Sequence, residues 1–235
     1  QTSQLPYTLV TGKLNIAAVT IRSLADAGLI EVTEENVYRK PVLKSDLSGK
    51  DGTAKQLSAE QQAVVDAISQ DYSQGISQTY LLRGITGSGK TEVYMALIER
   101  MIAGGKQAIV LIPEIALTYQ TLLRFYLRFG DRVSVMNSRL SPGERSDQYE
   151  RAAKGEIDIM IGPRSALFTP FERLGLVIID EEHESSYKSE TMPKFHAREV
   201  AQELCRMKHA SLLLGSATPS LESYYRARQG KIPLF

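Results

Sequence analysis

The sequence predicts an α/β protein in which a parallel sheet is covered by helices on both faces and a small separate domain precedes it. Over most of the chain, strand-like segments alternate with segments of helical periodicity, which is typical of a parallel sheet. The strand segments are near-continuous apolar runs, such as AIVLI at 108–112 and LVIID at 176–180, as expected of strands buried on both faces. A polar stretch at 45–55, SDLSGKDGTAK, has no apolar periodicity and indicates a linker. We therefore divide the chain into a small domain at 1–44, this linker, and a main domain at 56–235.

The elements of the main domain follow from hydrophobic period and from turn residues. The helix at 91–103, for example, carries an apolar stripe and is closed by Gly104 and Gly105. The same criteria predict further helices at 58–70, 117–129, 142–153, 196–207 and 219–229. They predict strands at 79–83, 107–112, 132–136, 157–161, 174–179 and 211–215. This alternation is typical of one RecA-like lobe.

The small domain is predicted to hold a helix followed by a hairpin. Apolar residues lie near helical spacing at Ile16, Val19, Leu24 and Ala27, after which Gly28 ends the helix. Two short strands joined around residues 34–36 would follow. The arrangement resembles a winged-helix DNA-binding domain, which makes the basic residues candidates for phosphate contact: Lys13, Arg22, Arg39 and Lys40. The alternatives are a solvated charged face and a wing that binds protein.

Composition limits the classes of function. The chain has 28 basic and 27 acidic residues, a net charge of +1, so it lacks the global basic field of a passive nucleic-acid coat and any DNA contact must be local. The single cysteine, Cys205, excludes an internal disulfide and a multi-cysteine metal site and suits a reducing cytosol. The sequence has neither an apolar run long enough to span a bilayer nor a signal pattern, so we expect a soluble cytoplasmic protein without membrane contact. A start without Met and an end soon after a helical stretch suggest a piece of a longer chain.

The most informative segment is GITGSGKT at 84–91, which matches the phosphate-loop pattern of Gly, four residues, Gly, Lys and Thr. In such a loop, backbone N–H groups form a hollow for phosphate at the N-terminus of a helix, and small residues let the backbone approach the ligand. The residues predicted to bind ATP here are Gly84, Gly87, Ser88, Gly89, Lys90 and Thr91. Lys90 would reach the β- and γ-phosphates, and the Thr91 hydroxyl would bind Mg²⁺.

A second motif, VIIDEEH at 177–183, completes the predicted site. Its apolar strand ends in Asp180 and Glu181, at the sheet edge where the phosphate loop opens. Asp180 would bind Mg²⁺ through water, and Glu181 would orient and deprotonate an attacking water. The two motifs together predict hydrolysis of ATP with Mg²⁺ as cofactor.

These residues resemble the superfamily 2 helicases, whose second motif is Asp-Glu-x-His, here Asp180 to His183. The resemblance implies a catalytic role for His183 beside Lys90 and the two acids. It also implies that LSAEQ at 57–61 is an adenine-reading motif with Gln61 as hydrogen bonder. The string GSAT at 215–218 resembles a motif that couples nucleotide state to DNA grip through Ser216, Ala217 and Thr218.

Within that superfamily, five strings resemble the primosomal replication-restart helicases: GITGSGKTEVY, LIPEIALTYQ, GPRSALF, DEEHESSYK and GSATPSLES. This resemblance implies ATP-driven 3′ to 5′ translocation on single-stranded DNA at stalled forks and recombination intermediates. It implies forked and single-stranded DNA, primosome proteins and single-stranded-DNA-binding proteins as partners of a monomer located at the nucleoid. It further implies that a second lobe and a zinc-binding region lie outside this chain, so that the chain alone hydrolyses ATP poorly.

The same resemblance suggests which residues contact DNA. LIPEIALTYQ and GPRSALF each follow a strand, and their candidates are Thr118, Gln120, Arg164 and Ser165; alternatively, Pro113 and Pro163 merely end strands. The aperiodic segment at 183–198 interleaves aromatic and basic residues, a pattern that suits base stacking, although a packed loop is the alternative. Its candidates are Tyr187, Lys188, Lys194, Phe195 and His196, together with Arg22 in the small domain. His183 and His196 lack a partner at zinc-ligand spacing, so we do not expect zinc in this chain.

Two other functions are compatible with these motifs. One is a different superfamily translocase or an RNA helicase with the same motor, because no residue by itself reports on the 2′-hydroxyl. The other is a non-motor module that acts as an ATP-gated scaffold for DNA or protein, because alternating closure requires two lobes.

Overall fold

The computed structural model describes residues 5, 7–12, 14, 16–32 and 56–235. The chain divides into two compact units, Gln1–Val37 and Tyr38–Phe235. The predicted hairpin around 34–36, the linker at 45–55 and the basic residues Lys13, Arg39 and Lys40 lie outside the described residues. Among the described residues, no helix is long and apolar enough to cross a membrane.

The described residues of the first unit form two short helices, α1 (Tyr7–Gly12) and α2 (Ala18–Asp26). Gly28 follows the end of α2 with φ of 71°, a left-handed conformation that favours glycine, so the predicted helix end is confirmed. The predicted apolar face is partly wrong: Val19 is 76% exposed, whereas Ile21 is buried. The winged-helix assignment of this unit stays a prediction.

The second unit is built on one six-stranded sheet with the order β1-β6-β5-β2-β4-β3. Every ladder between named strands is parallel. The strands are β1 (Thr79–Arg83), β2 (Gln107–Leu111), β3 (Val133–Val135), β4 (Ile159–Gly162), β5 (Leu174–Asp180) and β6 (Ser211–Ser216). All six were predicted to within two residues at each end, because uninterrupted apolar runs in a parallel sheet are a strong signal.

Six helices cover the two faces of this sheet: α3 (Ala59–Ser73), α4 (Lys90–Ala103), α5 (Tyr119–Phe129), α6 (Pro142–Ala153), α7 (Ala197–Lys208) and α8 (Leu221–Arg228). Residues of α3, α4 and α5 form one apolar core, and residues of α6, α7 and α8 form the other. Alternate strand residues supply the two cores, as Val110 and Leu111 of β2 do. The predicted fold class, a parallel α/β lobe with helices on both faces, is confirmed.

Three short 3₁₀ turns at the carboxyl edge of the sheet were not predicted. They follow β2, β4 and β5 at Glu114–Ala116, Arg164–Phe168 and Ser185–Tyr187. A turn of three to five residues is too short to create a hydrophobic period, so sequence pattern does not reveal it. These turns matter because they bring loop residues of neighbouring strands together at one edge.

Candidate nucleotide site and carboxyl-edge surface

The loop between β1 and α4 has the geometry of an anion-binding turn. Gly87 and Gly89 have φ of 82° and 85°, in the left-handed region that other residues rarely adopt. Gly89 is required for space as well, because a Cβ there would lie 2.3 Å from Nε2 of Gln61. The helix α4 begins directly after this glycine, so its first N–H groups point toward the loop.

Lys90 joins the two predicted motifs. Its side chain is buried, its Nζ donates to the Gly84 carbonyl at 2.8 Å, and the same atom lies 3.6 Å from Oε1 of Glu181. The loop after β1 and the end of β5 therefore meet, as the sequence predicted.

Asp180 and Glu181 lie at the end of β5 in different environments. Burial raises the pKa of the Asp180 carboxyl, while a hydrogen bond donated by Tyr94 at 2.9 Å opposes the shift. Glu181 has φ of 47°, a strained conformation for a residue with a side chain. Such strain is found where the surrounding structure fixes a side chain for function.

His183 contacts the GSAT string at 215–218, which the sequence predicts to couple nucleotide state to DNA grip. Its Nδ1 is 2.7 Å from Oγ of Ser216 and 3.6 Å from Oε2 of Glu181, and its Nε2 is 3.4 Å from Oγ1 of Thr218. Half-buried Ala217 lies between those two residues in the chain. The second motif and the GSAT string are thus in direct contact, which is the geometry that the predicted coupling needs.

A cavity of about 720 Å³ opens over these residues. It is lined by Gln56, Gln61, Thr86, Gly87, Ser88, Gly89, Lys90, Thr91, Glu92, Arg124, Asp180 and Glu181. All the predicted nucleotide-binding residues line it except Gly84, whose carbonyl binds Lys90 beneath the loop. Its volume is in the range of small-molecule sites.

Gln61 has a structural role that the sequence did not reveal. It forms a capping box with Ser58 at the start of α3, and its Nε2 donates to the Ser88 carbonyl at 2.8 Å. The second amide hydrogen of Gln61 could still donate to a base. Its contact with adenine stays a prediction.

The site also includes an ion-pair group that sequence reasoning missed. Glu92, directly after the phosphate loop, pairs with Arg124 of α5, and Arg128 one turn later pairs with Glu99 at 2.6 Å. The signal available was the spacing of Arg124 and Arg128, which places both on one face of α5. Arg124 and its partner Glu92 both line the cavity.

A second cavity of about 320 Å³ lies at the same edge of the sheet, beyond β2 and β4. It is lined by Pro113, Glu114, Asn137, Ser138, Arg145, Pro163, Arg164, Ser165, Ser186 and Tyr187. The sequence predicted Arg164 and Ser165 here, but Thr118 and Gln120 are exposed outside the lining, where Thr118 caps α5. Arg164 donates to the carbonyls of Ser186 at 3.0 Å and Lys188 at 2.6 Å, so it fixes the loop after β5 as well as lining the cavity.

The predicted base-stacking role of Tyr187 is wrong. The side chain is 1% exposed, and its hydroxyl donates to the Asp180 carbonyl at 2.6 Å, with the Leu111 carbonyl 3.1 Å away. A buried ring offers no face to a base, so the alternative of a packed loop is correct at this position.

Phe195, by contrast, remains accessible. Its half-buried ring packs edge-on against Phe168, with centroids 5.5 Å apart, and Phe168 is 56% exposed. The sequence does not predict Phe168 as a surface ring, because no apolar period distinguishes it from the buried residues beside it in the GPRSALF string.

The basic DNA-contact candidates of the segment at 183–198 also differ in exposure and charge. Lys188 and Lys194 are exposed, although Lys188 also pairs with Glu190 at 3.7 Å. His196 caps α7 by accepting from Arg198 N–H at 3.2 Å, and burial lowers its pKa, so the ring is neutral near pH 7 and supplies no charge for phosphate. Arg22 is exposed on α2 of the first unit.

Comparison with known proteins identifies the family. The family model described as DEAD/DEAH box helicase matches residues 58–227, which is most of the chain. The chain belongs to the DEAD/DEAH box helicase family.

Curated relatives of this chain carry the name "Replication restart protein PriA", and two of them illustrate the similarity. The protein of Bacillus subtilis (strain 168) is 45% identical over 227 residues, which cover 97% of this chain and 28% of the relative. That of Chlamydia pneumoniae is 48% identical over 215 residues, which cover 91% of this chain and 27% of the relative. The chain therefore spans little more than a quarter of the length of these relatives.

Solved helicase structures show the same fold. A structure described as RecG bound to a three-way DNA junction superposes with a TM-score of 0.59 and 24% identity, covering 77% of this chain and 24% of that one. A DUF1998 helicase, MrfA, superposes with a TM-score of 0.52 and 20% identity, covering 77% of this chain and 30% of that one. At these identities the likeness concerns the fold alone.

The residues present suit a magnesium nucleotide. The part of the chain that the structure describes holds no cluster of three or more His, Cys, Asp or Glu side chains that could hold a metal ion. Mg²⁺ commonly uses one or two protein oxygens together with substrate phosphates and water. Thr91 and Asp180, which both line the cavity, offer such a donor set.

Proposed function

We propose that this chain is the nucleotide-binding lobe, with a preceding winged-helix domain, of an ATP-dependent DNA helicase that acts in replication restart. The single observation that carries the ATPase proposal is Lys90 Nζ, 2.8 Å from the Gly84 carbonyl and 3.6 Å from the Glu181 carboxylate. The 45% and 48% identity with replication restart proteins supports the restart role.

The geometry supports a defined division of labour in ATP hydrolysis. Phosphate oxygens entering the loop would compete with the Gly84 carbonyl and Glu181 for the Lys90 ammonium. That exchange would release Glu181 to orient a water and accept its proton. Thr91 and Asp180 would hold Mg²⁺, which neutralises charge on the transferred phosphoryl group when bound.

Single-stranded DNA is the proposed substrate of the carboxyl-edge surface, defined as the second cavity together with Phe168, Phe195, Lys188 and Lys194. An exposed ring, Phe168, packed against a half-buried ring, Phe195, together with exposed lysines suits stacking of bases and neutralisation of phosphates. Arg164 and Ser165 line the cavity next to this pair. Tyr187 is not part of the surface, because its ring is buried.

Further properties are proposed from similarity to the replication restart proteins. These are 3′ to 5′ translocation by a monomer at forks and recombination intermediates, contact with primosome and single-stranded-DNA-binding proteins, and a place in the cytoplasm at the nucleoid. Zinc is proposed only for the part of such proteins that this chain does not match.

The nucleotide proposal is tested by Lys90→Ala. We expect the variant to lose Mg-ATP affinity, and ATPase and unwinding to fall about 100-fold or more in a protein of the relatives' full length that contains this chain. Lys208→Ala, which removes an exposed lysine of α7, is the matched control and should change neither. Unwinding that survives Lys90→Ala would refute the proposal of an ATP-driven motor. If unwinding is lost while primosome assembly stays intact, ATP binding by Lys90 serves the motor and is not needed for a scaffold role.

The DNA proposal is tested by titrating this chain with a labelled fork, a plain duplex and a single-stranded RNA over a salt series, with and without Mg-ADP. We expect fork preference that shifts with nucleotide, and Phe195→Ala should weaken fork binding about fivefold or more, because the single-stranded arms of the fork are the proposed ligand of this ring. Tyr225→Ala, which removes an exposed ring of α8, is the matched aromatic control and should leave affinity unchanged. Equal binding to all three nucleic acids, erased by salt, would contradict the proposal, and preference for RNA would favour an RNA helicase.

A further inference from the structure

Tyr94 is a buried tyrosine whose hydroxyl reaches the nucleotide site from beneath. It lies on α4 one turn after Lys90, and its side chain is 1% exposed within the core on that face of the sheet. The hydroxyl donates to Oδ1 of Asp180 at 2.9 Å. The ring therefore belongs to the core, while the single polar atom contacts the carboxylate that lines the nucleotide cavity.

Gly215 leaves the space that this contact requires. It pairs in register with Asp180 across β5 and β6, and its carbonyl accepts from Glu182 N–H at 3.0 Å. A Cβ on Gly215 would lie 1.8 Å from the Tyr94 hydroxyl and 2.9 Å from Cζ of the ring. No side chain fits there, so the glycine that opens the GSAT string is explained by the position of Tyr94.

Asp180 is fixed at its backbone as well. The Asp180 carbonyl accepts from the Tyr187 hydroxyl at 2.6 Å. Tyr94 belongs to one apolar core and Tyr187 to the other, so two tyrosines reach this residue from opposite faces of the sheet. Of the two tyrosines, Tyr94 contacts the carboxylate, which is the group that would face Mg²⁺ and the nucleotide and which a backbone hydrogen bond from Glu181 also reaches.

We propose that Tyr94 is a positioning residue that orients the Asp180 carboxylate toward magnesium nucleotide, and that Gly215 admits its hydroxyl. The inference rests on the proposed nucleotide function. Hydrogen bonds to a ligating carboxylate set its orientation, and their loss typically costs metal affinity about 10-fold or more. Tyr94 does not line the cavity, so its effect on nucleotide acts through Asp180.

The test measures how Mg²⁺ tightens the binding of a fluorescent ADP to this chain, with folding followed in the same samples by thermal denaturation. We expect Tyr94→Phe to raise the Mg²⁺ concentration for half-maximal tightening about tenfold. Affinity for ADP without Mg²⁺ should stay within about twofold, because the phosphate loop and Lys90 are untouched. Tyr126→Phe is the matched control, since Tyr126 is also buried and its hydroxyl has no hydrogen-bond partner among the described residues.

Gly215→Ala should disturb the same hydrogen bond sterically, because the new Cβ would collide with the Tyr94 hydroxyl. It is the second test if Tyr94→Phe fails to fold. We expect it to displace the hydroxyl and to raise the Mg²⁺ requirement in the same direction. A folded variant of either kind with the Mg²⁺ dependence of the unaltered chain would overturn the inference. An unaltered chain that binds no ADP, with or without Mg²⁺, would overturn the nucleotide proposal and the inference with it, so the two failures are distinguishable.

Discussion

Glu182, the second glutamate of the DEEH string, is expected to be a major contributor to the stability of this lobe. Its side chain is fully buried, and Oε1 accepts from Ser220 N–H at 2.6 Å. Oε2 accepts from Nη1 of Arg198 at 2.9 Å and from the Ser223 hydroxyl at 3.0 Å. Because Arg198 belongs to α7 and Ser220 caps α8, this carboxylate joins the end of β5 to two helices.

We expect Glu182→Gln to lower the free energy of unfolding by about 3 kcal/mol. A carboxylate only accepts, whereas an amide presents an oxygen on one side and an NH₂ on the other. Whichever way the amide turns, its NH₂ faces a donor, either Ser220 N–H or the Arg198 guanidinium. Arg198 is 15% exposed and would also lose its counter-ion, which is why the cost exceeds that of one ordinary hydrogen bond.

The measurement is urea denaturation followed by far-UV circular dichroism, since the chain has no tryptophan. Glu184→Gln changes a half-buried carboxylate two residues away and should cost less than about 0.5 kcal/mol. The double variant Glu182→Gln with Arg198→Met should deviate from additivity by about 1 kcal/mol or more, because it removes both charges together. A cost below about 1 kcal/mol for Glu182→Gln, or an additive double variant, would refute the reasoning.

Three further predictions concern single residues. Gly89→Ala should weaken ADP binding about tenfold or more, because alanine is strained at φ of 85° and its Cβ would collide with Gln61. Gly75→Ala is the control: its φ is 73° and the space around it is open, so ADP affinity should be unchanged in the same titration. Tyr126→Phe should stabilise the fold by about 1 kcal/mol in urea denaturation, because it removes a buried hydroxyl that has no partner among the described residues, and a loss of stability would contradict this. Burial raises the pKa of the Cys205 thiol to about 12, so the native chain should resist a thiol-specific disulfide reagent at pH 8 and react fully in urea; rapid native labelling would show that the thiol is accessible.

The sheet and the geometry of the candidate nucleotide site were predictable because their signals are local. Apolar runs locate the strands, and the strings at 84–91 and 177–183 each define a strand end and the turn after it. Parallel strands bring their carboxyl ends to one edge, so the contact between Lys90 and Glu181 follows from topology. The helix boundaries of the second unit were predicted to within three residues from hydrophobic period and turn residues.

The aperiodic segment at 183–198 was predictable only in part. Sequence pattern does not tell which aromatic residue of such a segment points inward, and it assigned Tyr187 and Phe195 the same role. The structure buries Tyr187, whose hydroxyl has the carbonyls of Leu111 and Asp180 as partners, whereas Phe195 is half-buried and packs against Phe168. The difference depends on acceptors that other strands supply.

The sequence by itself determined the α/β class, the order of the elements and the residues of the phosphate loop and second motif, because each of these depends on neighbours a few positions away. The tertiary structure alone decided which residues support that site: Tyr94 beneath Asp180, Gly215 beside it, and Arg198 on Glu182. Tyr94 and Asp180 are 86 positions apart in the chain. Position 215 requires glycine because the Tyr94 hydroxyl, from another element, occupies the space that a Cβ would need. Such contacts have no local signature, since they exist only when separate elements pack at interatomic distance.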